Sequence, residues 1–428
     1  MAESALDDTS LIHKAFREDN AAVVAEILDR NPEYKAMINE PVGPFDSPAI
    51  TNVKSPEMLD VVLAAGGDIN VKSRWWAGGF GLLHVASPEL AKYAIERGAD
   101  VDVHAAARLG LIDILRDLIA ENPQKVHERG GDGQTPLHFA ANVEIAKFLL
   151  EHGADIDARD IDHVSTPAQY MVASRQDVAR YLVSRGCSTD ILLAAALGDS
   201  ALVSTILDRD PEAIRVRVSE EYFPLVSKEN GGSIYQWELG WYLSAHQVAR
   251  RFGHEQVFEL LWTRSPADVK LVNACWLGDQ GAVEALLAET PDLGSMVSPS
   301  EQRMLAHAAR NNDLKAVRLM VKSGLAVNGK GQSEAKALHW ASWHGNLEMV
   351  RLLLEAGGDV ADTDNEYNSA PLTWALRASV DGWHPDTGDY PGVVEMLIRA
   401  GAELPKGLRG SEGVQDVLRR HGVPESSS

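Results

Sequence analysis

The stretch Gly133–Ala158, GQTPLHFAANVEIAKFLLEHGADIDA, decides the fold. Thr135 and the proline after it suit the start of a short helix, because proline at the first helical position sacrifices no hydrogen bond. The apolar residues that follow recur at helical spacing, which predicts a second helix, and Gly153 after them is typical of a left-handed C-cap. A helix pair of this size cannot bury its own apolar face, so the stretch predicts a unit that stacks on others like it.

Units of the same kind recur along the chain. Gly66 and Gly98 close two of them, and Gly324 and Gly357 close two others, with a spacing in each case of about 33 residues. This period, together with the sequence TPLH at Thr135–His138, resembles the ankyrin repeat. The resemblance covers nearly the whole chain and implies an all-α ankyrin-repeat solenoid of about twelve helix–turn–helix units with short β-hairpins.

The units differ in length. The distance from His84 to Gly98 is 14 residues and that from His138 to Gly153 is 15, whereas His339–Gly357 covers the usual 18. We therefore expect the inner helices of the two short units to have lost up to about one turn of 3.6 residues.

Two insertions interrupt the repeats. Apolar and polar residues alternate over residues 214–219, which predicts a strand, and Asn230-Gly231 is typical of a hairpin turn, so residues 214–243 are predicted to form a long β-finger. The other insertion, Asp381–Gly392, is similar to a segment of uncharacterised bacterial multi-ankyrin proteins. The predicted organisation is a single solenoid over residues 1–428, with N-terminal repeats at 11–213, C-terminal repeats at 244–404, and a capping helix and tail at 405–428.

The composition limits the partners. Lys and Arg number 40 against 62 Asp and Glu, which gives a formal net charge of −22. This balance argues against nucleic acids and anionic membranes, because both are bound through clustered Lys and Arg. Cys187 and Cys275 are too few for a disulfide framework or a cysteine zinc site, and no apolar run is long enough to span a bilayer. Because the acidic first segment lacks the apolar core of a secretory signal, we expect a cytoplasmic, monomeric protein, and the Asp381–Gly392 resemblance favours a bacterial source.

Local motifs for catalysis are missing from the sequence. There is no Gly-x-Ser-x-Gly elbow, and no set of His, Asp or Glu has the spacing of a metal site. His84, His138 and His339 occupy the family's TPLH histidine, for which the resemblance implies hydrogen bonding between adjacent repeats. We predict neither a metal nor a cofactor, and enzymatic activity stays open because a solenoid can assemble a site from distant repeats.

Candidate binding residues follow from the resemblance, which implies partners on the concave face, at hairpin tips and at inner-helix ends. Trp, Tyr, Arg and His suit this role, because they anchor interfaces through stacking, cation–π contacts and hydrogen bonds. The candidates are Trp75, Trp76, Arg108, Asp132, His163, Arg251, Trp276, Arg310, Trp343, His344 and Tyr367. A structural alternative stays open, in which Trp276 and Trp340 fill gaps between helices and the arginines pair with nearby carboxylates.

The sequence leaves three hypotheses for the function open. The first is a scaffold that recognises a protein partner on its concave face. The second is a pocket, with or without enzymatic activity, for a sugar or another polar metabolite, formed if the β-finger folds over that face and brings carboxylates and aromatic rings to the inner-helix arginines and His344. The side chains that the finger would contribute are Glu220, Glu221, Tyr235, Trp237 and Trp241. The third is electrostatic capture of a basic partner by the acidic surface.

Overall fold

The computed structural model describes residues 8–41 and 43–425, and the secondary structure in these ranges is helical apart from isolated β-bridges. The first helices in chain order are α1 (Asp8–Arg17), α2 (Ala21–Arg30), α3 (Pro32–Ala36), α4 (Pro56–Ala64), α5 (Leu82–Val85), α6 (Pro88–Glu96), α7 (Val103–Leu109), α8 (Ile112–Glu121), α9 (Pro136–Phe139), α10 (Val143–Glu151), α11 (Pro167–Tyr170), α12 (Gln176–Ser184), α13 (Ile191–Leu197) and α14 (Ser200–Arg209).

The remaining helices are α15 (Ile234–Glu238), α16 (Ala245–Arg251), α17 (Glu255–Arg264), α18 (Ala267–Leu277), α19 (Gln280–Glu289), α20 (Leu293–Met296), α21 (Pro299–Gln302), α22 (Met304–Arg310), α23 (Leu314–Lys322), α24 (Ala337–Trp343), α25 (Leu347–Glu355), α26 (Pro371–Asp381), α27 (Tyr390–Arg399) and α28 (Glu412–Arg420). Short 3-10 helices lie at Pro44–Asp46, Ala49–Asn52, Pro123–His127, Gly131–Gly133, Pro211–Arg215 and Gln332–Glu334.

The helix pair α9–α10 shows how the sequence builds one unit. The Asn142 side chain accepts a hydrogen bond from the Ile145 backbone N–H and caps α10, whose apolar face is fully buried at Ile145 and Leu149. Gly153 follows with a φ of 92°, the left-handed conformation in which glycine has no steric penalty. The local signals that predicted this helix pair therefore act as the sequence analysis expected.

The histidine of the TPLH sequence joins neighbouring units. The Thr135 backbone N–H donates to His138 Nδ1 at 3.0 Å, so Nε2 carries the proton and donates to the Ser165 carbonyl at 3.2 Å. His339 Nε2 likewise lies 3.2 Å from the carbonyl oxygen of Ser369. Hydrogen bonding between adjacent repeats, which the resemblance implied for these histidines, is thus confirmed for both.

Inner-helix length follows the spacing that the sequence shows. The inner helices of the two short units, α5 and α9, have four residues each, whereas α24 has seven. The expected loss of up to about one turn is therefore confirmed.

Packing divides the chain into two compact units. The first unit contains the chain up to Leu197 together with Val218–Gly240, and the second contains Gly198–Arg217 together with the chain from Trp241 onward. Each unit has its own apolar core of buried helix residues, such as Leu59 in the first and Leu353 in the second. The boundary between Leu197 and Gly198 precedes the insertion at 214–243, whereas the other two boundaries fall within it, and the single solenoid stays a prediction.

The predicted β-finger at 214–243 is wrong. Within the described residues this segment forms the end of a 3-10 helix, a series of turns and the short helix α15, and its one β-bridge joins Arg217 to Ser244. The alternation over 214–219 misled the prediction because Arg217, expected on a solvent face, exposes only 2% of its side chain. Buried charge, and not strand pairing, holds this part of the chain in place.

A buried ion pair lies at the centre of this region of the second unit. Arg217 Nη2 lies 3.0 Å from Glu301 Oε2, and the Glu301 side chain is only 1% exposed. Arg215 Nη1 lies 2.9 Å from Asp268 Oδ2 and 3.6 Å from Glu301 Oε1, which makes a four-residue network. Two carboxylates therefore balance two guanidinium groups where water is largely excluded.

The C-terminal end of the described chain is helical. Helix α28 lies in the region 405–428, which was predicted to be a capping helix and tail, and it packs against α27. The role of α28 as a cap stays a prediction. Residues 1–7 and 426–428 lie outside the described residues. Residues 1–7 are most of the acidic first segment, for which the sequence predicted no secretory signal. Among the described residues, no helix has both the length and the apolar character that crossing a bilayer requires.

Candidate functional site

A cluster of aromatic rings lies on α24, on α26 and in the insertion that follows α26. Trp340 and Trp343 are three residues apart on α24 and therefore share a face. The Trp374 ring on α26 lies 5.0 Å from the Trp340 ring at 86°, and the Tyr367 ring lies 5.4 Å from Trp374 at 80°. Trp383 stacks on Trp340 at 6.0 Å and 18°. We call Trp340, Trp343, Tyr367, Trp374 and Trp383 the aromatic site.

The aromatic site encloses a pocket of about 440 Å³. Its lining is Trp340, Trp343, Tyr367, Ser369, Thr373, Trp374, Arg377 and Trp383. Trp383 is 50% exposed and Tyr367 is 62% exposed, so both rings reach solvent at the rim. A pocket with several indole faces and few polar groups is suited to an apolar or aromatic side chain.

The insertion Asp381–Gly392 holds Trp383 in place through bonds to the end of α24. The Tyr390 hydroxyl donates to the Trp343 carbonyl at 2.9 Å, and the Asp389 backbone N–H donates to the Gly345 carbonyl at 2.9 Å. The insertion is therefore part of the packed unit, and it contributes one wall of the pocket.

Arg310 lies against the opposite side of this cluster. Its guanidinium carbon is 4.6 Å from the Trp241 ring centroid and 5.6 Å from both Trp340 and Trp383. Through these cation–π contacts, Arg310 connects Trp241 to the aromatic site. Because the aromatic rings already surround it, Arg310 acts in this structure as internal support for them.

A second pocket, of about 520 Å³, lies in the first unit. Carboxylates, an imidazole and aromatic rings line it together with smaller residues: Phe45, Trp75, Phe80, Asp132, Asp162, His163 and Trp237 are among its lining residues. Asp132 and Asp162–His163 belong to neighbouring hairpins, and the Ile161 backbone N–H donates to the Asp132 carbonyl at 2.9 Å. We call Asp132, Asp162 and His163 the acid–histidine cluster.

The turn Asn230–Gly232 docks onto the acid–histidine cluster. The Gly231 N–H donates to Asp162 Oδ1 at 2.7 Å, and His163 Nδ1 lies 2.7 Å from the Gly232 carbonyl oxygen. A Cβ atom on Gly231 would lie 3.1 Å from the His163 ring, and Gly232 has a φ of 78°, so both positions favour glycine. The Asn-Gly sequence that predicted a hairpin turn thus makes a close approach to two polar side chains.

Burial and like charge change the acidity of these carboxyl groups. The pKa of Asp132 is raised to about 6, chiefly by burial; the His163 ring opposes this shift, and the nearby Asp162 and Asp160 carboxylates add to it. Burial also raises the pKa of Asp160. The donor atoms of Asp132, Asp162 and His163 lie within 4.8 Å of one another, and this set could hold a metal ion.

Several predicted site residues line one of the two pockets. Trp343 and Tyr367 lie in the aromatic site, while Trp75, Asp132, His163 and Trp237 meet in the first unit. Trp75 Nε1 donates to Asp162 Oδ2 at 3.1 Å, and Trp76 beside it is 46% exposed.

Other predicted residues have structural contacts within the chain. Arg108 donates to the Leu83 and Ala86 carbonyls, and His344 Nε2 lies 2.7 Å from the Arg310 carbonyl oxygen. Trp276 is buried in the core of the second unit, as the structural alternative expected. Arg251 is exposed and lies over the Phe252 ring.

The insertion does not gather its side chains as the pocket hypothesis expected. Tyr235 is fully buried in the first unit and donates to Asp190 Oδ2 at 2.9 Å, while Glu220 and Glu221 are exposed. Trp241 belongs to the second unit, with Arg310 and His344. Tyr235 therefore lies in the core and not in a cleft, while Trp241 contacts the inner-helix Arg310 as expected. A cleft formed by the remaining groups stays a prediction.

Three tryptophans of the aromatic site escaped the prediction as binding residues. Trp340 and Trp374 occupy inner-helix positions whose side chains are expected in the core. Trp383 lies in an insertion, where the repeat pattern assigns no role to a position. The density of indoles over 340–383 was the available signal, since this segment contains four of the ten tryptophans.

Comparison with known proteins identifies the repeats. A family sequence model described as ankyrin repeats matches residues 103–193, 271–364 and 305–404, which together cover just over half of the chain. The chain is 29% identical to B-cell lymphoma 3 protein homolog of Mus musculus over 258 residues, 58% of this chain and 49% of that protein. It is 22% identical to transient receptor potential cation channel subfamily A member 1 of Homo sapiens over 315 residues, 70% of this chain and 27% of that protein.

Palmitoyltransferase Hip14 of Drosophila melanogaster is 29% identical over 135 residues, 32% of this chain and 19% of that protein. The chain therefore spans about half or less of the length of these curated relatives. All three come from eukaryotes, and the predicted similarity to bacterial proteins stays a prediction.

Proposed function

Because the chain belongs to the ankyrin-repeat family, whose repeats are generally protein–protein interaction modules, we propose that it binds a protein partner through the aromatic site of its second unit. The observation that carries this proposal is the pocket of about 440 Å³ whose walls are mostly indole and phenol rings. Exposed aromatic residues are the commonest anchors of protein interfaces, because they bury much area and lose little side-chain freedom.

The chemistry of the pocket favours a particular kind of partner segment. Its depth and aromatic walls suit one apolar or aromatic side chain, which would lie between Trp343, Trp374 and Trp383. Arg377 is exposed at the rim and would attract a carboxylate next to that anchor. We therefore propose a protein segment in which an apolar anchor neighbours an acidic residue, on the concave face formed by inner helices and hairpins.

The proposal predicts that removing the two rim rings abolishes partner binding. The double variant Trp383→Ala, Tyr367→Ala should lose at least about 2 kcal/mol of binding free energy, roughly a 30-fold weakening. The partner is first captured from native lysate on wild-type protein, and its affinity for each variant is then measured by calorimetry. Both side chains are half exposed or more, so the variant should keep its fold, which circular dichroism checks.

Met296→Ala is the matched control, because Met296 is 69% exposed in the same unit but lies outside the aromatic site. It should bind the partner like the wild type. Equal affinity of the double variant and the wild type would contradict the assignment to this pocket. Arg310→Ala is a poorer test, because the guanidinium supports Trp241, Trp340 and Trp383 from within the chain.

The pocket of the first unit supports a second candidate function, the binding of a polar small molecule. Its volume of about 520 Å³ suits a metabolite, and it combines the Trp75 and Trp237 rings with the Asp132 and Asp162 carboxylates. Stacking faces beside carboxylates are the usual arrangement for a sugar. A metabolite panel tested by thermal shift should reveal ligands whose effect disappears in Trp237→Ala, and no ligand-dependent shift in the wild type would remove this candidate.

Charge supports the remaining proposals about partners. A net charge of −22 favours a monomeric protein that avoids nucleic acids and anionic membranes, and it is compatible with a basic partner. We keep the cytoplasmic location as a proposal on a different ground, because two cysteines cannot build a disulfide framework.

A further inference from the structure

We propose that Asp132, Asp162 and His163 bind one divalent transition-metal ion, with Zn²⁺ as the preferred cation. The inference concerns the first unit and does not depend on partner binding by the second. The three side chains offer two carboxylates and one imidazole from neighbouring hairpins, and their donor atoms all lie within 4.8 Å of one another. Such a mixed oxygen and nitrogen set is a normal zinc ligand set.

The hydrogen bond of His163 prepares its other nitrogen for a metal. A carbonyl oxygen can only accept, so Nδ1, which lies 2.7 Å from the Gly232 oxygen, must carry a proton. In the neutral ring Nε2 then holds a lone pair, and it faces Asp132 Oδ2 at 3.8 Å, beyond hydrogen-bond distance. The His163 side chain is only 10% exposed. A lone pair that faces a carboxylate from a side chain nine-tenths buried is unfavourable unless a cation lies between them.

The spacing of the donors is close to what a small cation requires. Ligand atoms about 2.1 Å from a tetrahedral zinc ion lie roughly 3.4 Å from each other. The 3.8 Å between Nε2 and the Asp132 oxygen needs to shrink by only a few tenths of an ångström to reach that spacing. The other separations within the set are at most 4.8 Å, so the widest pair would close by up to about 1.4 Å on metal binding.

Fixed neighbours orient the ligands, as in established metal sites. The Gly231 N–H holds Asp162 Oδ1 at 2.7 Å, and Trp75 Nε1 holds Asp162 Oδ2 at 3.1 Å. His163 is oriented by the Gly232 carbonyl. Each carboxylate oxygen keeps a second lone pair for the ion, so these hydrogen bonds position the carboxylate without consuming its capacity to coordinate.

The nature of the donors selects the class of cation. Imidazole nitrogen favours Zn²⁺ and similar transition metals, whereas Mg²⁺ and Ca²⁺ prefer sites made of oxygen alone. Three protein ligands leave at least one coordination position open. All three donors line the pocket of about 520 Å³, so that position would be available to water or to a small molecule.

The test measures metal binding directly on untagged protein of residues 1–428 that has been treated with a chelator and dialysed. Calorimetry at pH 7.5 should show one equivalent of Zn²⁺ bound per chain, and more weakly bound Mg²⁺. His163→Asn and Asp132→Asn should each weaken Zn²⁺ binding by more than tenfold. Trp75→Phe, which removes one orienting hydrogen bond but keeps a ring, should weaken it about tenfold. Visible absorption of bound Co²⁺ should report a nitrogen ligand in the wild type and change in His163→Asn.

His421→Asn is the matched control. His421 Nε2 lies 3.0 Å from Glu395 Oε2 in the second unit, so the substitution changes a pair of one histidine and one carboxylate outside the acid–histidine cluster. It should leave Zn²⁺ binding unchanged. Burial raises the pKa of the Cys187 and Cys275 thiols to about 12, which disfavours competition by thiolates.

Two results would overturn the proposal. The first is absence of one-equivalent Zn²⁺ binding to the wild type, which would leave the cluster as a polar contact between neighbouring hairpins. The second is equal binding by the wild type and the isosteric Asp132→Asn variant, which would show attraction by the acidic surface alone. Thermal melting of each variant separates lost binding from lost folding.

Discussion

Replacing Glu301 by Ala is expected to lower the free energy of unfolding of the second unit by about 3–5 kcal/mol. The substitution leaves Arg217, whose side chain is only 2% exposed, without its counter-charge. Nε and Nη1 of Arg217 are buried and have no hydrogen-bond partner among the described residues, so no other group can compensate for the lost carboxylate. A buried, unpaired guanidinium is among the most costly defects that one substitution can produce.

Urea unfolding followed by tryptophan fluorescence measures this effect in the relevant part of the chain. Seven of the ten tryptophans belong to the second unit, so the signal reports mainly on that unit. A loss of less than about 1 kcal/mol would contradict the importance of the pair.

Two controls separate the buried pair from general effects of charge. Glu212→Ala removes an exposed partner of Arg215 and should change stability by no more than about 0.5 kcal/mol. The double variant Arg217→Met, Glu301→Leu removes both charges and should be near neutral or more stable, because apolar packing replaces two desolvated ions.

The same pair explains why the insertion could not be predicted from the sequence. The helix pairs were predictable, because caps, apolar spacing and closing glycines act within about ten residues of each other. Arg217 instead depends on Glu301, which lies more than two repeat lengths further along the chain. No local pattern reports such a contact, and a period of two over 214–219 gave a false strand signal.

The acid–histidine cluster illustrates what could and could not be predicted about a site. Asp132 and His163 were each predicted as hairpin-tip residues, but no metal set was recognised, since Asp132 and Asp162 lie in the hairpins of successive repeats. Stacking places hairpin positions about one repeat apart next to each other. Searching for ligand pairs at the repeat period would have found these two carboxylates, whereas the docking of Gly231 and Gly232 onto them required the fold.

The second large effect is expected from pH. Burial holds the pKa of His138 at about 3 and that of His104 at about 4 in the first unit, and that of His246 at about 3 in the second. In the unfolded chain these groups have the ordinary histidine pKa of about 6.5. As pH falls, these histidines therefore bind protons in the unfolded state before they do so in the folded state. The free energy of unfolding is highest above pH 6.5 and decreases progressively as pH falls toward 3–4. At pH 4.5 the loss is roughly 2–3 kcal/mol for His138 alone.

Carboxyl groups in the first unit oppose part of this loss. The pKa of Asp132 is raised to about 6, so the folded state binds this proton before the unfolded state does, and stability increases as pH falls from 6 toward the ordinary value near 4. Burial also raises the pKa of Asp160 and of Asp190 in the same unit. In the second unit burial lowers the pKa of His246 and His307, and we expect this unit to unfold at the higher pH.

The chain itself supplies the substitution that isolates the contribution of His138. Gln169 occupies the matching position of the next repeat, and its Oε1 accepts from the Thr166 N–H at 2.9 Å, as His138 Nδ1 accepts from Thr135. His138→Gln should therefore keep the cap and remove the titrating group. Between pH 7 and pH 4.5 the wild type should lose roughly 2 kcal/mol more of its free energy of unfolding than His138→Gln does. Urea unfolding followed by circular dichroism measures both losses.

His127→Gln, at an exposed position of the same unit, is the control and should behave as the wild type does. If His138→Gln and the wild type lose the same stability on acidification, the buried imidazole is not the cause of acid sensitivity in the first unit. The comparison is decisive because the glutamine preserves the hydrogen bond to Thr135 that defines the repeat. A difference in pH dependence can then come only from the proton that glutamine cannot bind.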